Sequence, residues 1–155
     1  FREATYEGGR DYLVYLLNEG FVVELIRLAR EHPELSFDLF SDLPQTTSVP
    51  KSIRLYRVDD AAFLEKMKRC RGVICTAGFD TAAEAACMGI PLAVIPVENH
   101  YEQRCNSMDV ERSGIGVILK EFSLESLHEM KEEKHQKYRR WVDSWGSEIL
   151  KHILG

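Results

Sequence analysis

A glycine turn followed by a lone carboxylate contains the residues of this chain that are best suited to bind a ligand. Residues 72–77 form a short apolar run that predicts a buried strand. Gly78, Phe79 and Asp80 are expected to form a turn, and a small-residue helix is expected from Thr81, with Asp80 or Thr81 as its cap. The start of a helix presents free backbone N–H groups and the positive end of the helix dipole, which together suit a phosphate.

Glu84 lies one turn into this predicted helix, among alanines. A carboxylate so close to a bound phosphate can accept hydrogen bonds from both hydroxyls of a ribose. A glutamate that simply faces solvent is the alternative, and the local sequence does not decide between the two. The turn has neither the G-x-G-x-x-G spacing nor a Walker A lysine, so the common dinucleotide and P-loop sites are disfavoured.

A second polar cluster follows the next apolar run, residues 92–97. Its members carry carboxylate, amide or imidazole groups: Asn99, His100, Glu102, Gln103 and Asn106. His100 beside Glu102 has the chemistry of an acid–base pair. A surface loop without a binding role is the more common meaning of such a cluster, and the spacing alone leaves both interpretations open.

Alternating strands and helices must position these two clusters. Apolar or alternating runs predict six strands, at residues 12–17, 36–40, 53–58, 72–77, 92–97 and 116–119. Helical spacing predicts helices at 21–30, 61–70, 81–88 and 101–113, and another headed by Ser123. The alternation predicts an α/β fold, a Rossmann-like parallel sheet of about six strands with helices on both faces.

Ligands bind at the carboxyl ends of the strands in folds of this kind. The expected site is therefore formed by the loops at those ends, which are residues 18–20, 41–44, 58–60, 76–81 and 97–103. Both polar clusters fall within or directly beside these loops. The topology thus predicts the edge of the sheet at which the candidate site lies.

Composition excludes several classes of function. The 155 residues suffice for one domain with a core, and the net charge of −5 argues against a nucleic-acid partner. No apolar run approaches the ~18 residues of a membrane span, and no signal peptide is visible, so a cytoplasmic location is expected. Four cysteines without a C-x-x-C pair are expected to be reduced core thiols, and no metal site is predicted: Cys70, Cys75, Cys87 and Cys105.

Residues 76–96 read T-A-G-F-D-T-A-x-E-A-x-x-x-G-I-P-L-x-x-I-P, and Glu102, Gln103 and Asn106 follow. This combination resembles the donor-binding signature of GT-B glycosyltransferases, the group that includes the peptidoglycan N-acetylglucosaminyltransferase and the plant UDP-glycosyltransferases. The resemblance is densest over residues 76–106. The order of strands and helices from Tyr12 onward is compatible with it, so it covers nearly the whole chain and implies the C-terminal half of a GT-B fold.

The resemblance also implies a role for each site residue. Backbone N–H groups and a hydroxyl of one turn would contact the donor diphosphate: Gly78, Phe79, Asp80 and Thr81. Two residues after the first strand would line the same cleft: Asn18 and Gly20. Glu84 would hold the ribose, and the main chain at Val58 would read the base, usually uracil. Three residues would contact the donor sugar: Glu102, Gln103 and Asn106.

The implied reaction transfers a sugar, without a metal or other cofactor, from a nucleotide diphosphate-sugar to an acceptor hydroxyl. UDP is the expected nucleotide. In the resembled group the general base lies in an N-terminal acceptor domain, which is the expected partner of this chain. Residues 1–11 are then a linker, 12–140 the donor-binding domain, and 141–155 a C-terminal helix that crosses to the acceptor domain. The chain alone is expected to be inactive.

Two other functions remain open at this point: a non-catalytic donor-binding subunit of a two-chain transferase, and half of a sugar-nucleotide epimerase. Trp141, Trp145 and Ile149 share one helical face, which would pack on the sheet, on the missing domain or in a homodimer. Membrane association of the full-length enzyme is also open. The donor sugar, the acceptor and the stereochemical outcome are not determined by the sequence.

Overall fold

The computed structural model describes residues 7–130 and Ser144. Six strands form one parallel sheet: β1 (Tyr12–Tyr15), β2 (Phe37–Phe40), β3 (Ile53–Tyr56), β4 (Gly72–Cys75), β5 (Leu92–Val94) and β6 (Val117–Ile118). Their order across the sheet is β3-β2-β1-β4-β5-β6. The α/β, Rossmann-like fold predicted from the sequence is therefore confirmed.

Five helices in the described residues cover both faces of the sheet: α1 (Glu19–Glu31), α2 (Asp60–Met67), α3 (Phe79–Met88), α4 (Tyr101–Ser113) and α5 (Leu124–His128). Buried leucines of α1 and α5 pack into the core on one face. Phe63 and Met67 of α2, alanines of α3 and Val110 of α4 pack into the core on the other. None of the helices within residues 7–130 is long and apolar enough to span a membrane.

The strand order reverses between β1 and β4, which are direct neighbours with Tyr15 opposite Cys75. The chain proceeds from β1 toward one edge of the sheet through α1, and from β4 toward the other edge through α3. The connections after β1 and β4 therefore diverge and leave a crevice at the carboxyl end of these two strands, the place where ligands bind in open α/β sheets.

Helices α1 and α3 each begin two residues earlier than predicted, and α2 begins one residue earlier. The prediction of a loop at residues 18–20 is wrong. Asn18 is the N-cap of α1, and its Oδ1 accepts hydrogen bonds from the backbone N–H groups of Gly20 at 2.9 Å and Phe21 at 3.3 Å. Asparagine is one of the strongest N-cap residues, and it starts the helix despite the glycine in its first turn.

The start of α3 also differs from the prediction, which places a turn at residues 78–80 and makes Asp80 or Thr81 the N-cap of the helix. Gly78 is extended, with φ −72° and ψ 144°, and Phe79 is already helical. Asp80 and Thr81 thus lie inside the first turn, where they cannot act as the N-cap. The predicted C-terminus is confirmed, since Gly89 ends the helix in the left-handed conformation at φ 73°.

An ion-pair network around the buried carboxylate of Asp38 joins β2, β3 and α2. The carboxylate of Asp38, in the middle of β2, accepts from Arg54 Nε at 2.6 Å and from Lys66 Nζ at 3.0 Å. Arg54 also donates to Asp11 at 2.6 Å, and its pKa is raised chiefly by its hydrogen bond to Asp38. The network anchors the start of the sheet and the helix that leads into the crevice.

Replacing Asp38 by alanine is expected to lower the free energy of unfolding by about 1–3 kcal/mol. The expected loss is moderate because the side chains it would leave unpaired, Arg54 and Lys66, are 49% and 30% exposed and can turn to water. Urea denaturation measures the change. Glu65→Ala is the control, because it breaks an exposed pair with Lys68 and should have no measurable effect. Equal effects of the two variants would contradict a structural role for the network.

Two of the four cysteines agree with the expectation of core thiols. Cys70 and Cys75 are buried, and desolvation raises the pKa of each thiol to about 12. The predicted C-terminal helix with Trp141, Trp145 and Ile149 lies outside the described residues. At the other end of the chain, the N–H of Glu7 donates to the carbonyl of Lys68 at 3.0 Å.

Candidate functional site

A cleft of about 790 Å³ lies at the crevice between β1 and β4. Its walls come from the end of β1, from α2, from the start of α3 and from α4: Tyr15, Asp60, Phe63, Leu64, Gly78, Phe79, Asp80, Thr81, Glu84 and Glu102. The six of these residues that belong to α3, its N-cap and α4 were predicted as site residues from the sequence. The parallel topology thus brings one member of the second polar cluster, Glu102, to the same cleft as the start of α3 and Glu84.

The start of α3 is the main source of hydrogen-bond donors in this cleft. In the described part of the chain α3 has no side-chain cap, because its N-cap residue is Gly78, whereas the other helices are capped by side chains: Asn18, Asp59, His100 and Ser123. The N–H of Gly78 itself donates to the carbonyl of Thr76. The N–H groups of Phe79, Asp80 and Thr81 therefore remain for an anion at the positive end of the helix dipole.

Glu84 projects from the side of α3 opposite its buried alanines. Ala82, Ala85 and Ala86 are buried against the sheet, and their small size lets α3 lie close to β4 and β5. Glu84 is half-buried in the cleft wall. Its pKa is raised, first by desolvation and then by the neighbouring carboxylates of Asp80 and Asp60. The carboxylate is thus partly withdrawn from water and has hydrogen-bonding capacity to offer a ligand.

The charge of the cleft is strongly negative. Among the described residues, four carboxylates line it, and no lysine or arginine does: Asp60, Asp80, Glu84 and Glu102. A diphosphate bound at the start of α3 is therefore attracted by backbone dipoles and repelled by side chains. Asp80 lies in the first turn of α3 and would repel a diphosphate bound there, but its side chain is exposed and can turn toward solvent.

Of the three residues predicted to contact the donor sugar, only one lines the cleft. Glu102 is exposed and lines the cleft. Gln103 Oε1 accepts from the N–H of Val97 at 2.9 Å, and because that N–H can only donate, the side-chain NH₂ of Gln103 is the group left for a ligand. Asn106 donates through Nδ2 to the carbonyl of Ala77 at 3.0 Å. Neither amide is among the described residues lining the 790 Å³ cleft.

His100 is a capping residue. Its Nδ1 accepts from the backbone N–H of Gln103 at 3.3 Å, at the start of α4. The proton of the neutral ring is therefore on Nε2. This bond occupies the nitrogen that faces the helix and gives His100 a structural role next to Glu102.

The remaining predicted contacts lie outside the cleft. Val58, 37% exposed, lines a separate cavity of about 360 Å³ between the loops that follow β2 and β3, together with Ser41, Asp42, Leu43, Pro44, Gln45 and Arg57. Asn18 and Gly20 are not among the described residues that line the larger cleft. The side-chain oxygen Oδ1 of Asn18 already accepts the two capping hydrogen bonds of α1.

Tyr15 is a cleft residue that the sequence did not suggest. Its ring packs edge-on against Phe63 of α2, with the ring centroids 5.4 Å apart. Burial, followed by the charges of Asp42 and Asp60, raises the pKa of its hydroxyl. The sequence predicted a strand over residues 12–17, so Tyr15 was expected inside the strand and not at its carboxyl end. In the structure β1 ends at Tyr15, and this residue lines the cleft.

Comparison with known proteins supports the fold and the family. An uncharacterized glycosyltransferase of Methanosarcina acetivorans is 29% identical over 129 residues, which are 77% of this chain and 33% of that protein. Another, from Methanopyrus kandleri, is 32% identical over 100 residues, which are 61% of this chain and 28% of that protein. The chain thus spans about a third of the length of the curated relatives that it matches.

Solved structures of glycosyltransferases share the same fold. CalG4, the calicheamicin glycosyltransferase, superimposes with a TM-score of 0.73 at 16% identity over 95% of this chain and 42% of its own. SnogD from Streptomyces nogalater gives a TM-score of 0.68 at 19% identity over 98% of this chain and 44% of its own. The fold is that of a GT-B glycosyltransferase domain. The family model of glycosyl transferase family 1 matches residues 3–133, and the chain belongs to that family.

Proposed function

We propose that this chain is the donor-binding domain of a glycosyltransferase that moves a sugar from a UDP-linked donor to an acceptor hydroxyl. The observation that carries the proposal is the start of α3, which has no side-chain cap and opens into the 790 Å³ cleft one turn from Glu84. Free N–H groups for a diphosphate and a carboxylate for a ribose then lie side by side on one helix.

The chemistry of the reaction matches this arrangement. When the bond from the sugar to the diphosphate breaks, negative charge grows on the leaving oxygen. The N–H groups of Phe79, Asp80 and Thr81 and the dipole of α3 stabilise that charge. We propose that transfer requires no metal ion for this reason. Addition of EDTA to the full-length enzyme should leave the rate unchanged, and a loss restored by Mg²⁺ would contradict this part of the proposal.

The other parts of the donor are assigned by their chemistry. Glu84 accepts from the ribose hydroxyls, and the base lies against the main chain at Val58, beside the 360 Å³ cavity. The carboxylate of Glu102 accepts from hydroxyls of the sugar, and the NH₂ of Gln103 donates to a sugar oxygen. The three sections of the donor thus lie along the carboxyl ends of β3, β4 and β5.

The acceptor and the general base are assigned to the part of the protein that the curated relatives have beyond this chain. That part would also supply the positive charge that the acidic cleft needs. We therefore expect this chain to bind nucleotides weakly and to show no turnover alone. Turnover by this chain with a nucleotide-sugar and a small acceptor alcohol would overturn that division of labour.

Calorimetric titration of the chain with UDP, GDP, dTDP and their sugar conjugates tests the proposal. Binding of a nucleoside diphosphate, with UDP preferred, is the expected result. Preference for GDP or dTDP would correct the base and leave the diphosphate assignment intact. Failure of all three nucleotides to bind would overturn the proposed function.

The raised pKa of Glu84 predicts a pH dependence. Protonation removes the charged acceptor, so the ratio of wild-type to Glu84→Gln affinity for UDP should fall toward one as the pH drops through the raised pKa to below 4.5. The effect on stability has the opposite direction. Because the folded state favours the protonated form, the contribution of Glu84 to stability is fully present below 4.5 and is lost as the pH rises through the raised pKa. Calorimetry and thermal unfolding at a series of pH values measure the two trends, and an affinity ratio that does not vary with pH would contradict the ribose assignment.

A further inference from the structure

The side chain of Asn106 connects α4 to the segment that leads into α3. Its Nδ2 donates to the carbonyl of Ala77 at 3.0 Å, across 29 positions of sequence. Ala77 is fully buried, so water does not readily replace this partner. Within the described residues Asn106 lines a different cavity, of about 580 Å³, between α3 and α4, and does not line the acidic cleft.

The position of this bond matters because residues 76–78 lead directly from β4 into the start of α3. No side chain of the described residues caps that helix. The segment is instead held by two hydrogen bonds, one from the N–H of Gly78 to the carbonyl of Thr76 and one from Asn106 to the carbonyl of Ala77. A buried carbonyl that loses its partner is left unsatisfied, which is costly and favours a rotation of its peptide plane toward another donor.

We infer that Asn106 is a positioning residue for the donor diphosphate: it holds the Ala77 carbonyl and thereby aims the N–H groups of Phe79, Asp80 and Thr81 into the cleft. This inference rests on the proposed function, and it replaces the contact with the donor sugar that the sequence suggested for Asn106. The aspartate that is isosteric with Asn106 cannot serve, because a carboxylate oxygen would face the carbonyl oxygen with no proton between them.

Three ligands distinguish the possible roles: uridine, UDP and a UDP-sugar. The variants are Asn106→Asp and Asn106→Leu. The matched control is Glu111→Gln, which likewise exchanges a carboxylate and an amide, on the exposed surface of α4. Positioning predicts that both Asn106 variants weaken UDP and UDP-sugar equally, by about tenfold or more, while uridine and the control variant are unaffected.

Other outcomes overturn the inference. A sugar contact would remove only the extra affinity of the UDP-sugar over UDP. A general supporting role in the fold would weaken uridine, UDP and UDP-sugar alike in variants that still unfold cooperatively.

A measurement without ligand separates this inference from the proposed function. In ¹⁵N–¹H NMR spectra of the free chain, Asn106→Asp should shift the amide signals of Gly78, Phe79, Asp80 and Thr81, and Glu111→Gln should not. Shifts confined to α4 would overturn the inference. If the wild-type chain binds none of the three ligands, the proposed function fails, and these shifts still decide whether Asn106 orients the start of α3.

Discussion

Replacing Gly78 by aspartate is expected to give a protein that is slightly more stable and that binds nucleoside diphosphates at least tenfold more weakly. Gly78 is the N-cap of α3 and has the extended backbone that an N-cap residue needs. An aspartate there accepts from the same N–H groups that we assign to the diphosphate. Side chain and ligand then compete for the same donors.

The two effects differ in size. Aspartate is a better N-cap than glycine by a few tenths of a kcal/mol, so the gain in unfolding free energy is small. The loss of affinity is larger, because hydrogen bonds to a charged acceptor contribute about 1.5–3 kcal/mol, which corresponds to about 10- to 150-fold in the dissociation constant. Urea denaturation and calorimetry with UDP measure the two quantities on the same sample.

Two variants separate occupancy of the N–H groups from other causes. Gly78→Ala should bind UDP like the wild type, because an added Cβ meets only the carbonyl oxygen of Thr76, at 3.8 Å. Asp80→Asn should bind UDP more tightly, because it removes a carboxylate from the same turn and leaves every N–H in place. If Gly78→Asp binds UDP as well as the wild type, the diphosphate does not bind at the start of α3.

Replacing Glu84 by alanine is expected to weaken UDP binding by about 10- to 100-fold, because the two ribose hydroxyls lose one charged acceptor. UDP that lacks both ribose hydroxyls supplies the internal reference. It should bind equally to the wild type and to Glu84→Ala, since the contact is already absent. Calorimetric titration of both proteins with both ligands isolates the contact as a double-difference cycle.

Loss of stability is not expected to explain this result. The raised pKa of Glu84 means that desolvation and the carboxylates of Asp80 and Asp60 make its ionised form less favourable in the fold than in water, so removing the side chain is not expected to destabilise the protein. Glu111→Ala, on the exposed surface of α4, is the control for a lost glutamate. If Glu84→Ala weakens UDP and its dideoxy analogue equally, Glu84 acts on the cleft in another way than by binding the ribose.

The sequence predicted the fold well because its signals are local. Gly89 and Gly114 end helices, Pro91 follows one, and the apolar runs mark the strands, so the alternation and the parallel sheet could be derived. The bounds of α4 were predicted correctly for the same reason. The location of the cleft at the carboxyl ends of the strands also followed from topology, since the loops predicted there supply several of its lining residues.

The sequence did not predict features that depend on distant partners. Asp38 alternates with apolar neighbours like a surface residue, and its burial depends on Arg54 and Lys66, which lie 16 and 28 positions away. The side-chain amides of Gln103 and Asn106 bind loop backbone whose position only the folded chain defines. For Gln103 and Asn106, the sequence predicts that they lie near the carboxyl edge of the sheet, but it does not predict which backbone groups their side chains bind.

The most direct test of the central claim, that the start of α3 binds the donor diphosphate, is a ¹⁵N–¹H NMR titration of the wild-type chain with UDP and with uridine. The account predicts that UDP moves the amide signals of Phe79, Asp80 and Thr81 strongly downfield, as charged hydrogen bonds form, and that uridine leaves them in place. Saturable binding of UDP with these three signals unmoved would contradict it.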